Sequence, residues 1–197
     1  KLLPLQPSKA IRTQHQPAMD WRILPAFYQQ HLANAERFDV SRALLSFVIL
    51  TGCRSGEARS MRWEELDLDA AIWTIPADRM KTQVIHRIPL SLKAITVLEK
   101  VRGLHGEWVF PSPRKQVPLT DMALTTLLRR VEAQSTTPGR LATAHGFRST
   151  FRDWCSEQGY PRDLAERALA HLIQNKVEAA YHRTDLLDQR RPMMDAW

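Results

Sequence analysis

A chain of 197 residues, 44% of them hydrophobic, has room for one substantial domain or two very small ones and is too apolar to be disordered throughout. Lys and Arg number 28 against 21 for Asp and Glu, a net charge of +7 that favours a polyanionic partner, and the excess lies in residues 1–50 and 101–150 rather than on a terminal tail. Two cysteines, Cys53 and Cys155, exclude a disulfide framework and are not in metal-ligand spacing; they read as buried thiols of a reducing compartment. No apolar run approaches the roughly 18 residues of a membrane span, so no membrane partner is expected.

The chain starts Lys1-Leu-Leu-Pro, without an initiator Met or a signal peptide, and is read as a piece of a longer protein with a domain upstream. Residues 1–18 carry Pro4, Pro7 and Pro17 and no helical period, which predicts an extended lead-in before a domain over 19–197. From Met19 the residues Trp21, Leu24, Phe27, Tyr28 and Leu32 recur near the 3.6 period, with Pro25 marking a break or a helix start. Ser41 is a candidate cap for a helix burying Leu44, Leu45, Val48 and Ile49, and a short helix is expected from Ser55, with Glu57 in its first turn. The period then changes: Ile72–Ile75 and Val84–Ile88 are β-rich runs joined by a polar segment that turns near Met80-Lys81-Thr82. Helical patterns resume at Ser91–Val101 and Thr120–Ala133, and short helices are expected after His145. The predicted fold class is α+β, mostly α-helical, with a small antiparallel sheet inserted after Arg54.

Four places carry candidate chemistry. In Thr51-Gly-Cys-Arg-Ser-Gly-Glu57 an apolar helix stops and Arg54 sits at the junction with the next, where a guanidinium presents a planar fork suited to phosphate oxygens. Glu57 can orient it, although an ordinary surface Arg–Glu pair has the same spacing. In His145-Gly-Phe-Arg148 a helix would bring a group titrating near neutrality onto the face of a fixed cation. Ala168-Leu-Ala-His171 is followed ten residues later by Tyr181, a phenol that attacks only where cations favour phenolate and a base takes its proton, and that otherwise reads as a packing aromatic. Lys81, at the tip of the predicted hairpin, can reach a partner or a leaving group.

Arg54 after Thr-Gly-Cys, the Lys81 hairpin, His145-x-x-Arg148, His171 and Tyr181, in that order, resemble the catalytic domain of tyrosine recombinases, the phage integrase family, over roughly Met19 to Met194. The phrasing around Arg54 and His145 is similar to the branch of prophage and genomic-island integrases related to satellite-phage integrase. The resemblance implies that Tyr181 attacks a scissile DNA phosphate to form a 3′-phosphotyrosyl bond. It also implies that Arg54 and Arg148 hold the non-bridging oxygens, Lys81 protonates the leaving 5′-oxygen, His145 acts as acid–base toward the tyrosine, His171 donates to the phosphate, and Glu57 supports. Such chemistry calls for no metal or ATP, since fixed cations stabilise the anionic phosphorane. The implied partners are double-stranded DNA at attachment sites, three further copies in a tetramer on DNA, and accessory bending or directionality factors; the implied location is a bacterial cytoplasm, at the nucleoid. Arg114, Lys115, Arg129 and Arg130, in the most basic block, are candidates for the DNA-facing surface. A type IB topoisomerase shares the chemistry, and a degenerate DNA-binding module is the reading without it. For Thr184–Trp197 a final helix is expected, with Leu186, Leu187 and Met194 either exposed to a neighbouring subunit or folded back on their own domain.

Overall fold

The computed structural model describes residues 16–34, 38–171 and 184–197. Helix α1 (Leu24–Tyr28) carries Pro25 in its first turn, as the fixed φ of proline allows, and runs into a π-helical turn at Gln29–Ala33. Helix α2 (Val40–Thr51) is capped by Asp39, whose Oδ1 accepts the Ser41 amide at 2.8 Å; Ser41 is therefore the capped residue rather than the cap. Nearly all of α2 is buried, and it packs on α3 (Ser55–Arg59), α4 (Leu92–Val101), α5 (Met122–Arg130) and α6 (Gly146–Glu157). A helix apolar on every side belongs at the centre of a domain. It stops at Gly52, whose φ of +64° is the left-handed conformation glycine adopts without strain.

The sheet is antiparallel in the order β1 (Leu66–Asp67), β2 (Ile72–Ile75), β3 (His86–Pro89), with Trp73 opposite Ile88 and Ile75 opposite His86. Trp73, Ile75 and Ile88 are buried. The third strand was not expected, because a two-residue strand among Glu64, Glu65 and Asp69 has no β signature. The predicted start of β3 also moves: Val84 and Ile85 are exposed and precede it, after a 3₁₀ turn at Ala77–Arg79. Helix α5 ends earlier than its apolar pattern suggests, and Glu132, at φ +49°, turns the chain away.

Helix α7 (Arg162–Ala168) and helix α8 (Leu187–Ala196) pack on α6 and β3 to form a second apolar cluster around Phe151, Trp154, Leu169, Met193 and Met194. The C-terminal residues fold back on their own domain: Leu187 and Met194 are buried, and Trp197 meets Phe151 edge-on and Trp154 at a tilt while its indole donates to the Ile49 carbonyl at 2.7 Å. The alternative of exposing Leu187 and Met194 to a neighbour is corrected by this packing. At the other end, Pro17 and Ala18 are hydrogen-bonded in place, their carbonyls accepting the amides of Thr143 and Thr136.

Candidate active site

Gly52 lies at the seam between the two apolar clusters, where an added Cβ would stand 3.5 Å from Phe151 and from Leu169. Two residues on, Arg54 is the N-cap of α3, and Glu57 serves it twice. One carboxylate oxygen accepts the Arg54 amide at 2.8 Å and the other accepts Nη1 at 2.7 Å. Because Glu57 is buried, this is not the screened surface pair the spacing left open. Arg54 Nη2 reaches the Ala170 carbonyl at 3.3 Å. Arg79, which drew no notice in the sequence, ties the support together by donating to the Glu57 carbonyl at 2.6 Å and to Ser60 Oγ at 3.0 Å, and by pairing with Glu65.

Arg148, only 4% exposed, enters from the first turns of α6. Its Nη1 donates to the Gly52 carbonyl and its Nη2 to the Leu169 carbonyl, both at 2.6 Å, with His171 Nε2 3.1 Å from Nη2. Arg54 and Arg148 thus grip the adjacent carbonyls of Ala170 and Leu169, which puts two guanidiniums at one corner. Burial, and then the neighbouring Arg54 charge, pull the Arg148 pKa down to about 10, still protonated at neutral pH. Among the described residues its Nε has no hydrogen-bond partner, so an oriented donor is left unused there.

His145 precedes α6 instead of lying within it, since Thr143 Oγ1 accepts the Gly146 amide at 2.9 Å and the helix begins there. It still lines one cavity of about 370 Å³ with Arg148, Arg152 and His171. Desolvation, then the charges of Arg148 and Arg54, then His171, lower the His145 pKa, so its imidazole is neutral near pH 7 and can accept a proton. His171 Nδ1 is 2.6 Å from Glu166 Oε2, and Arg152 Nε donates to Glu166 Oε1 at 2.8 Å; neither Glu166 nor Arg152 was singled out from the sequence. A carboxylate five residues before a candidate histidine was the signal available.

The structure therefore brings Arg54, Glu57, His145, Arg148 and His171 together. Lys81 is exposed on the β2–β3 connection. Tyr181 lies outside the described residues. Arg114, Lys115, Arg129 and Arg130 are exposed, and Arg130 pairs with Asp39 at 3.0 Å. Cys53 and Cys155 are free and buried, and burial pushes both thiols up to about 12. Among the described residues no cluster of His, Cys, Asp or Glu has the makings of a metal site, and no helix is long and apolar enough to cross a membrane.

His86, buried on β3, makes the fold sensitive to acid. Burial is the main cause and the Arg190 charge the next; a hydrogen bond to the Ala168 carbonyl opposes them, and Arg148 and Arg54 add to them, leaving the pKa at about 3. Unfolded histidine titrates near 6.5. Between those values only the unfolded chain binds the proton, so this contribution is complete above about pH 6.5 and is lost as pH falls toward about 3. Urea midpoints measured from pH 7 to 4.5, above the main carboxylate range, are expected to decline in the wild type and to flatten in His86→Gln. An equal decline in both would rule this source out.

The phage integrase family profile matches residues 27–186, most of the chain. The chain belongs to the phage integrase family. It is 40% identical over 160 residues to prophage integrase IntA of Escherichia coli K12, covering 80% of this chain and 38% of that protein. It is 32% identical over 203 residues to the integrase of Enterobacteria phage P4, covering 94% of this chain and 45% of that one. This member of the family thus spans less than half the length of either relative. Among solved structures, a lambda integrase(75–356) dimer bound to a COC′ core site matches with a TM-score of 0.62 at 21% identity, over 90% of this chain and 63% of that one. The XerH site-specific recombinase bound to difH substrate matches with a TM-score of 0.63 at 19% identity, over 88% and 56% of the two chains. At those identities the likeness establishes the integrase catalytic-domain fold: helical, with a small three-stranded antiparallel sheet.

Proposed function

We propose that this chain is the catalytic domain of a tyrosine-type site-specific DNA recombinase that cuts and rejoins attachment-site DNA to integrate or excise a prophage or genomic island. The observation that carries this reading is the pair of guanidiniums, Arg54 and Arg148, meeting at the Leu169–Ala170 carbonyls beside His145 and His171. A corner holding two arginines and two histidines is a ready receptor for a phosphodiester. In this reading the Tyr181 hydroxyl attacks the phosphorus while His145, neutral at working pH, takes its proton. The P–O5′ bond breaks as Lys81 protonates the departing oxygen. Arg54, Arg148 and His171 stabilise the charge on the phosphorane, each such donor supplying about 3–4 kcal/mol. The phosphotyrosyl bond conserves the energy of the broken linkage, so rejoining is the same steps in reverse and calls for no nucleotide.

The DNA-bound dimer and tetramer among the solved integrases support DNA as the partner. Assembly of four copies on DNA, accessory bending or directionality factors, action at a bacterial nucleoid, and DNA contact by Arg114, Lys115, Arg129 and Arg130 belong to the same proposal. Covalent trapping tests it. A nicked duplex carrying the attachment site at the boundary of the element encoding the chain is incubated with this chain and, in parallel, with the complete gene product. An adduct that survives denaturation and disappears in Tyr181→Phe is the expected result. No adduct with either wild-type protein would leave a DNA-binding module without catalysis, and relaxation of supercoils without strand exchange would point to a topoisomerase.

A further inference from the structure

His171 is held between partners of opposite kind. Arg148 Nη2 lies 3.1 Å from Nε2 on one side of the ring, and Glu166 Oε2 lies 2.6 Å from Nδ1 on the other. A guanidinium only donates, so Nε2 is the acceptor, and the single proton of the neutral ring is on Nδ1 and given to Glu166. Glu166 is itself anchored. Arg152 Nε donates to its second oxygen at 2.8 Å, and Arg152 Nη1 donates to Ser156 Oγ at 2.5 Å, fixing the clamp one turn further along α6. Partial burial pushes the Glu166 carboxyl up, but the hydrogen bonds from Arg152 and His171 outweigh it and hold the group below its usual range, so it is ionised at neutral pH.

We infer that Glu166, anchored by Arg152, is the positioning residue of His171, fixing the ring with Nδ1–H on the carboxylate and Nε2 turned to Arg148, so that Nε2 can take up a proton and donate to a phosphate. This rests on the reading that a DNA phosphate enters the pocket. A phosphodiester oxygen has no proton to give, so a ring that donates to it from Nε2 while keeping Nδ1–H on Glu166 is an imidazolium. The added proton comes from water, which reaches the ring because the side chain is 44% exposed. Arrival of the phosphate draws Arg148 Nη2 away from Nε2, and the Glu166 carboxylate offsets the new charge. No bond other than N–H forms or breaks. Among the described residues the charged and titratable groups around the ring are Glu166 of α7, Arg148, Arg152 and Asp153 of α6, His145 just before α6, and Arg54.

Two measurements test this, and the first needs no catalysis. Nitrogen-15 NMR of the histidine-labelled, DNA-free chain is expected to show His171 as the Nδ1–H tautomer, and Glu166→Ala is expected to abolish that preference. An Nε2–H tautomer in the wild type would overturn the assignment. The second measurement is the rate of adduct formation against pH on the nicked duplex. Glu166→Gln keeps an acceptor for Nδ1–H but removes the charge. It is expected to slow trapping about 10–100-fold, the loss seen when carboxylates that orient metal-bound histidines are removed. Its alkaline limb should move to lower pH. Equal slowing at every pH together with a lowered melting temperature would reduce Glu166 to a packing role. Should Glu166→Gln not fold, Arg152→Gln, which frees the Glu166 carboxylate from α6, is expected to weaken the Nδ1–H preference in the same NMR measurement, and an unchanged preference would count against the inference. If neither the wild-type chain nor the complete gene product forms an adduct, the proposed function falls, while the tautomer result decides the role of Glu166 independently.

Discussion

Arg148→Lys is expected to slow DNA–protein adduct formation by about two to three orders of magnitude, the loss typical when one oriented oxyanion donor is removed. Net charge is unchanged by the substitution, so an electrostatic footprint alone predicts almost no effect. What changes is the geometry of the donors. The guanidinium bridges the Gly52 and Leu169 carbonyls at 2.6 Å each and keeps an Nε with no partner among the described residues. A lysine has three donors on one atom and cannot span both carbonyls while also addressing a phosphate oxygen. One of the two acceptors is then left unsatisfied in a site that is 4% exposed, which costs about 1–3 kcal/mol. Single-turnover trapping and urea denaturation of the same preparation separate the two effects. Full-speed cleavage by the lysine variant would mean that Arg148 serves the fold and not the phosphate.

Gly146→Ala is expected to be the most damaging of the glycine-to-alanine changes in the chain. A Cβ at this position would stand 1.9 Å from the Pro17 carbonyl oxygen, 2.7 Å from its carbon and 3.0 Å from Ala18 Cα. All three are backbone atoms, so no side chain can swing aside. The segment that would have to move is held by the Thr143 amide on Pro17 O at 3.1 Å, the Thr136 amide on Ala18 O at 2.9 Å and Thr150 Oγ1 on Met19 O at 2.7 Å. Overpacking of this kind costs about 1–3 kcal/mol or more, and each bond broken adds about 1 kcal/mol, against about 1 kcal/mol gained in helix propensity. A net loss of about 3 kcal/mol in urea denaturation is the expected outcome. Trapping should fall as well, because His145 adjoins the displaced turn. A double-mutant cycle identifies the cause: in a chain lacking residues 1–18 the same substitution should cost little. An undiminished cost there would place the clash elsewhere.

Much of the site was legible because its pieces are local. The apolar run from Leu44 to Leu50 ending at Gly52, with Arg54 and Glu57 at the next helix start, states a buried helix, a left-handed stop and a capped arginine within a few residues. His145, Arg148 and His171 were marked together by the resemblance, through residue types in the family's order. The partners that hold those residues were not legible. Arg148 is anchored on carbonyls 96 and 21 residues away, and carbonyls carry no sequence signal at all. Glu166 is close to His171 in sequence, but only the arrival of Arg152 from α6 and Arg148 from the other side of the ring turns the pair into a clamp.

The same division runs through the fold. Local periodicity, caps and turn residues determined which segments became helices and which became the sheet, since those depend on neighbours within a turn or a strand. Tertiary packing decided the rest: the two-residue strand β1, the seating of Pro17 and Ala18 across the start of α6, and the return of Leu187, Met194 and Trp197 onto Phe151 and Trp154. An apolar stripe says only that a face will be covered. Which surface covers it depends on distant parts of the chain meeting in three dimensions.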